Sequence, residues 1–378
     1  MTKTAAAAVV VALVCASAAA AAAETRNVAI VIYPGVELLD FAGPGEVFSA
    51  AGDGAFDVFT VAATAEPLTS QRFVKIAPDY SIDNAPRPDI IVLPGGNVGS
   101  VQNDPKMMAW LRRSAEKAEI TMSVCNGAIA LAQAGLLDGL KATTHWGALS
   151  RLREFGKITV VPDERFTDNG RIVTTQGVSA GIDGALHVVE RLLGPEEAWA
   201  DAHYMMYRWE PAGLATPQRE ELRPWVERDW GAVERIYARK LAASAKDVVA
   251  LARLGVAEEE LGEHARAVAT LQKALALGSH DAAAVDDLAQ AEVALSRFGE
   301  GARTYEREVA LRPARVQPWV RLAAAKAWVR AGQKDAALAV LKEAVASGQI
   351  GRKLLESDPA LAGLGGDPRF VALLQRAP

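Results

Sequence analysis

Residues Ile120-Thr-Met-Ser-Val-Cys125-Asn126-Gly127-Ala-Ile-Ala-Leu-Ala-Gln-Ala134 constrain the fold more than any other stretch of this chain. They read as a short apolar strand, one cysteine, and a helix opening at Asn126-Gly127. A cysteine at that junction rides on a sharp turn with its side chain pushed outward, followed by backbone amides that lack helical partners. Those amides and the helix dipole favour negative charge, so the thiol is expected to ionise more readily than a free cysteine. The same pattern also suits a small buried hydrophobe, the commoner role of an unpaired cysteine.

The preceding chain supplies more strands of the same kind. Val28-Ala-Ile-Val-Ile-Tyr33 is a continuous apolar run ending in Pro34-Gly35, as a buried parallel strand should. Val58-Phe-Thr-Val-Ala62 and Ile90-Ile-Val-Leu93 repeat it, the latter ending in Pro94-Gly95-Gly96. Helical stretches are expected over 44–51, 105–117, 126–134 and 146–155. Strands alternating with helices predict an α/β fold, a doubly wound and mostly parallel sheet. Such sheets bind ligands beyond the carboxyl ends of their strands.

That rule gathers candidate site residues at one edge. The loop after the first strand carries Glu37 and Asp40. Gly95 and Gly96 follow the third, where bare backbone can approach an anion. Cys125 follows the fourth, and His145 is expected to end another short strand on the same rim. Each has a plainer reading: Gly95-Gly96 as a turn, Asp40 as the cap of a helix near Pro44, His145 as a rim histidine, Glu37 as solvated. Their coincidence at one edge makes a plausible site.

Six linked motifs resemble the ThiJ/PfpI family of the class I glutamine-amidotransferase-like, flavodoxin-like superfamily. They are Tyr33-Pro-Gly-Val-Glu-Leu-Leu-Asp40-Phe-Ala-Gly-Pro44, Leu93-Pro-Gly-Gly96, Ser123-Val-Cys-Asn-Gly127, Ala134-Gly-Leu-Leu-Asp-Gly139, Ala142-Thr-Thr-His-Trp146 and Ser179-Ala-Gly-Ile-Asp183. The resemblance covers about residues 27–210, and its motifs resemble isonitrile hydratases and the N-terminal domains of AraC-type regulators in particular. It implies Cys125 as an elbow nucleophile and Asp40 as the carboxylate facing it. Gly96 and the amide of Asn126 would form an oxyanion hole, with Gly95 and Gly127 beside them. A carboxyl beside a thiolate is expected to stay protonated and donate a hydrogen bond to sulfur. Asn126 stands where family peptidases carry histidine, which argues against peptidase activity, and where isonitrile hydratases carry threonine. His145 matches the histidine of glyoxalase-like members, which carry glutamate where Asp40 stands. The family also implies a homodimer.

Residues 1–23 stand apart. Lys3, an alanine- and valine-rich run, and Ala21-Ala-Ala23 before Glu24 read as a secretory signal cut after Ala23, with an uncleaved anchor as the alternative. The expected location is periplasmic or secreted, with no membrane attachment after cleavage. Of the two cysteines, Cys15 lies in that signal, so the mature chain keeps Cys125 alone and forms no internal disulfide. A net charge of −5 gives no basic footprint for nucleic acid.

With 378 residues the chain needs more than one core. Val160 to Thr174 reads as a hairpin turning at Asn169-Gly170, followed by helices from Ser179 and Pro195. The domain expected over 24–210 gives way to a linker and capping helix over 211–244, the linker running from Pro211 to Pro224. Over 245–378 small and large residues recur with the period of about 34 residues of tetratricopeptide repeats. Leu254-Gly255, Gly262, Ala267, Leu271 and Ala274 are followed by Leu288-Ala289, Ser296, Gly301, Tyr305 and Glu308. A third unit runs through Trp319, Leu322, Gly332, Ala337, Leu341 and Ala344. Glu308 departs from the usual alanine. Such arrays bind protein segments, although a short one can instead dimerise the chain or brace its first domain.

The sequence shows no metal-ligand cluster, phosphate loop or nicotinamide fingerprint, so no cofactor is expected. Two classes of function remain: cysteine-assisted hydration or hydrolysis of a small electrophile, with glyoxalase-like chemistry as a variant, and a ligand or redox sensor read out through the repeats.

Overall fold

The computed structural model describes residues 25–71, 73–209, 216–312, 314 and 316–378. The segment read as a signal lies outside them. Among the described residues eleven strands are formed: β1 Arg26–Val31, β2 Phe56–Ala62, β3 Leu68–Ser70, β4 Val74–Ile76, β5 Tyr80–Ser81, β6 Ile90–Leu93, β7 Ile120–Ser123, β8 Lys141–Ala142, β9 Thr159–Val160, β10 Phe166–Asp168 and β11 Ile172–Thr175. Seven make one sheet in the order β10-β11-β7-β6-β1-β2-β5. Every pairing in it is parallel except β10 with β11, the hairpin expected at Asn169-Gly170. Val28 to Ile32 and Ile90 to Leu93 are buried, which is why these strands read as unbroken apolar runs.

The chain leaves β1 for β2 on one side and returns through β6 on the other, so the strand order reverses between β1 and β6. The crevice beyond that reversal is where open α/β sheets place ligands. Around the sheet lie α1 Leu38–Ala50, α2 Gly99–Gln102, α3 Pro105–Lys117, α4 Gly127–Gln133, α5 Leu149–Arg153, α6 Ala180–Leu193 and α7 Pro195–Tyr204. The first starts six residues earlier than the start expected at Pro44, which lies inside it. Proline suits a first turn and is costly in a helix interior, yet α1 carries Pro44 inside it, and Asp40 becomes a buried first-turn residue rather than a cap. The strand leading to His145, β8, pairs with β9 in a separate two-stranded ribbon rather than joining the main rim.

The second half is all helix: α8 Thr216–Val226, α9 Trp230–Ala243, α10 Val248–Glu260, α11 His264–Ala276, α12 Ala282–Ala294, α13 Phe298–Val309, α14 Gln317–Arg330, α15 Lys334–Ala346, α16 Arg352–Ser357 and α17 Pro368–Leu374. Much of the expected linker is therefore α8. Its Leu222 and Val226 cluster with Trp199 of α7, and that burial outweighs the helix-breaking tendency of Pro224. From α10 to α15 the helices pair in sequence, consistent with repeats. Gly255 lets α10 and α11 touch: a side-chain carbon there would lie 2.5 Å from Leu271 Cγ. Gly301 does the same for α12 and α13, 2.7 Å from Val293 Cγ2.

The two halves meet at Arg253 of α10. It pairs with Glu196 of α7, donates to Tyr237 Oη at 2.5 Å, and lies over the rings of Trp225 and Tyr237. No helix of the described residues is long and apolar enough to cross a membrane.

Candidate active site

The elbow forms because β7 ends against two neighbours. The amide of Val124 donates to Leu93 O at 3.0 Å and that of Cys125 to Gln176 O at 2.7 Å. Held from both sides, Cys125 adopts φ 57°, a left-handed conformation that costs a non-glycine residue on the order of 1 kcal/mol or more. Its carbonyl accepts from Thr144 Oγ1 at 2.7 Å. The helix that follows comes very close to β6: a side-chain carbon on Gly127 would lie 2.2 Å from Leu93 O. Only glycine allows that approach.

Asp40 enters from the start of α1 and is 0% exposed. Its carboxylate accepts from Gly95 N at 3.0 Å and from Val178 N at 2.9 Å, and lies within hydrogen-bonding reach of the Cys125 thiol. Val178 has φ 57°, a costlier strain for a β-branched residue than for cysteine, so both strained residues flank one carboxyl. Burial raises the Asp40 carboxyl to about 6, against the two amides that favour its charge; Glu37 adds a smaller push upward. Burial, then the negative charge of Asp40, pushes the Cys125 thiol up to about 12. The Asn126 amide, pointing at sulfur, opposes this without overcoming it.

Burial and the Asp40 charge thus oppose the ready ionisation expected of the thiol. Near neutral pH both effects favour the proton on sulfur and the charge on Asp40. The carboxyl is raised, but by desolvation rather than by a neighbouring thiolate.

The expected oxyanion hole is also rearranged. The Gly95 amide is engaged by Asp40. The Gly96 amide donates to Asn126 Oδ1 at 2.8 Å, and Asn126 Nδ2 returns a bond to Gly96 O at 2.9 Å. The Gly127 amide closes a turn on Val124 O at 3.0 Å. Of the four residues assigned to anion binding, only Asn126 has its amide turned to the sulfur; Gly95, Gly96 and Gly127 shape the elbow instead. The Asn126 side chain clips the glycine loop to it. Tyr33 Oη braces the same loop from below, donating to Pro94 O at 2.7 Å.

His145 is brought to the site in spite of its separate ribbon. Its Nδ1 accepts from Gly147 N at 3.2 Å, fixing the ring. A side-chain carbon on Gly177 would lie 2.5 Å from His145 Cδ2 and 3.4 Å from Cys125 Sγ. The bare face of Gly177 is thus the gap between imidazole and thiol. Glu37 is half-buried, its carboxyl raised by burial and partly restored by His145. Trp146 stands beside the imidazole, 79% exposed, as an apolar rim. Among the described residues no group of His, Cys, Asp and Glu could hold a metal ion.

The DJ-1/PfpI family model matches residues 26–191. Isonitrile hydratase of Pseudomonas putida is 34% identical over 45% of this chain and 74% of its own length. The chain belongs to the DJ-1/PfpI family. The HTH-type transcriptional regulator CdhR of Pseudomonas aeruginosa is 25% identical over 44% of this chain and 51% of its own length. A crystal structure of a ThiJ/PfpI family protein from Pseudomonas syringae, 29% identical, superposes with a TM-score of 0.46 over 52% of this chain and 80% of that one.

Within this DJ-1/PfpI domain, sequence reasoning missed Gly177 and Val178. The available signal was a glycine two residues after β11, at the carboxyl edge, one residue before a β-branched residue forced into a turn. Arg165 steadies that turn from outside, donating to Asp183 Oδ2 at 2.6 Å, while Tyr207 Oη donates to Asp183 Oδ1 at 3.3 Å.

Proposed function

We propose that the DJ-1/PfpI domain is a cysteine-dependent hydratase or hydrolase of a small uncharged electrophile, with isonitriles as the best candidates. The observation that carries this reading is a fully buried carboxylate, held by the backbone amides of Gly95 and Val178, facing the thiol at the elbow. A carboxylate near 6 beside a protonated thiol is a base in place: it takes the proton only as sulfur forms its new bond. With an isonitrile, sulfur bonds to the terminal carbon and the proton moves through Asp40 to that carbon, giving R–N=CH–S–Cys125. Water adds across C=N, the C–S bond breaks, a proton returns to sulfur, and an N-substituted formamide leaves. Acyl transfer fits less well, because the elbow amides that would hold an oxyanion are engaged within the protein. His145 would assist proton movement on the far side of the Gly177 gap, where a glyoxalase-like reaction would also use it.

The test is turnover of cyclohexyl isocyanide and of methylglyoxal by wild type, Cys125→Ala and Asp40→Asn. Formamide production lost in both variants supports the hydratase; methylglyoxal consumption alone supports the lyase. A second reading rests on the Arg253–Glu196 contact, which couples the helical repeats to α7, and on the similarity to a regulator. In it the domain senses a ligand or oxidant at Cys125 and the tetratricopeptide-like repeats relay its state. Stoichiometric modification of Cys125 without turnover favours this reading. Export to the periplasm or exterior and homodimerisation belong to the same proposal, and the N-terminal residue and mass of the mature protein test them.

A further inference from the structure

A recess of about 320 Å³ lies where α7 gives way to α8. It is lined by Trp199 and His203 of α7, by Tyr207, Arg208 and Trp209 of the segment after it, and by Arg223 of α8. Trp199 and His203, four residues apart, share one helix face. Helix α7 ends in a left-handed turn at Met206, φ 52°, closed by the amide of Met206 on His203 O at 2.9 Å and that of Tyr207 on Ala202 O at 2.8 Å. Glycine usually takes that position. Methionine takes it here with 86% of its surface exposed, so its own packing does not hold the turn. The turn brings Tyr207, Arg208 and Trp209 back beside Trp199 and His203.

The lining consists of three aromatic rings, an imidazole and two guanidinium groups, with no carboxylate among them. The Arg223 guanidinium lies 5.6 Å from the centre of the Trp199 ring, a stacking that leaves its N–H edge free to meet an anion. Its ion pair with Glu227 is exposed and long, at 3.5 Å. The Arg208 guanidinium makes no hydrogen bond or ion pair among the described residues. Tyr207 Oη is engaged with Asp183, whose charge Arg165 answers. Rings alone would suit a cation, but two guanidinium groups beside them repel one and attract a carboxylate. We propose that this recess binds a small aromatic carboxylate, its ring against the aromatic walls and its charge between Arg208 and Arg223. The volume is at the small end of the about 300–1,000 Å³ usual for ligand pockets, which suits one ring and a short acid arm. Such a ligand bridges the end of α7 and the first helix of the second half, and its binding does not depend on the chemistry of Cys125.

The test uses the full chain at 0.15 M salt, with phenylacetate, phenylacetamide and acetate as probes in titration calorimetry. The expected result is saturable one-to-one binding of phenylacetate, with phenylacetamide and acetate each weaker by about tenfold or more, since one lacks the charge and the other the ring. Arg208→Gln and Arg223→Gln should each weaken phenylacetate about tenfold. Arg303→Gln, which removes a guanidinium from over the Trp328 ring, should leave it unchanged. Thermal transitions check the folding of each variant, and the exposed Arg208 decides the matter if Arg223→Gln loosens α8. Protein carboxamidomethylated at Cys125 should bind phenylacetate as the unmodified protein does; loss of binding there would place the ligand at the elbow and overturn the inference. Phenylacetamide binding as tightly as phenylacetate overturns the anionic class of ligand. Affinity unchanged in Arg208→Gln, or no saturable binding of phenylacetate, overturns the site itself.

Discussion

Asp40 in the α/β half and Asp287 in the helical half are both carboxyls drawn away from water and both raised by burial. Their neighbours differ. Asp40 receives two backbone amides and a thiol, so its charge is partly provided for and the cost is placed in the strained Cys125 and Val178. Asp287 meets four more carboxylates. The first arrangement is organised for a reaction; the second sets an acid among like charges. Burial alone does not make a catalytic acid. The donors around it do.

The largest effect expected is at sulfur. Cys125→Ala should reduce turnover of the preferred electrophile by about 10³-fold or more while leaving the thermal transition close to wild type, since it removes a single sulfur atom from a partly buried site. Kinetics on purified variant and wild type check it. Asp40→Asn should cost about 10²-fold and remove the limb of the pH–rate profile that rises through about pH 6, where the carboxyl becomes a base. A residual limb at that pH would assign it to another group and weaken the contrast between the two acids.

A smaller loss, about tenfold in kcat/KM, is expected for Gly177→Ala, whose added carbon pushes His145 away from Cys125. Crystallography of the variant should find the imidazole displaced and the Asp40–Cys125 pair in place. Asp287→Asn should act in the opposite direction on stability. A raised carboxyl contributes stability that is fully present below its unfolded value near 4 and is lost as pH rises through about 8. The variant should therefore melt higher than wild type at pH 9, by about 2–6 °C, and no higher at pH 4. Melting curves at both values separate this from a general gain.

The sheet and the elbow were legible because their residues obey strong local rules. Val28 to Tyr33 and Ile90 to Leu93 can only be strands buried on both faces, and Asn126-Gly127 opens a helix. The pairing of successive helices in the second half was legible through Gly255 and Gly301, where helices touch. What escaped was set by three-dimensional neighbours. Thr216 to Val226 carries linker-like prolines yet folds because Trp199 offers it an apolar partner. The amides of Gly95 and Gly96 look free in sequence, and only their meeting with Asp40 and Asn126 engages them. The thiol's reluctance to ionise depends on its depth and on a carboxylate from a helix far away in the chain.

The most direct measurement is the pH dependence of iodoacetamide alkylation at Cys125, followed by mass spectrometry of its peptide in wild type and Asp40→Asn. If one proton is shared and rests on sulfur, wild-type alkylation keeps rising beyond pH 10 without a plateau, and Asp40→Asn moves the curve to lower pH by removing the opposing charge. A wild-type plateau already reached below pH 7, unchanged by Asp40→Asn, would show a standing thiolate indifferent to Asp40 and contradict the account.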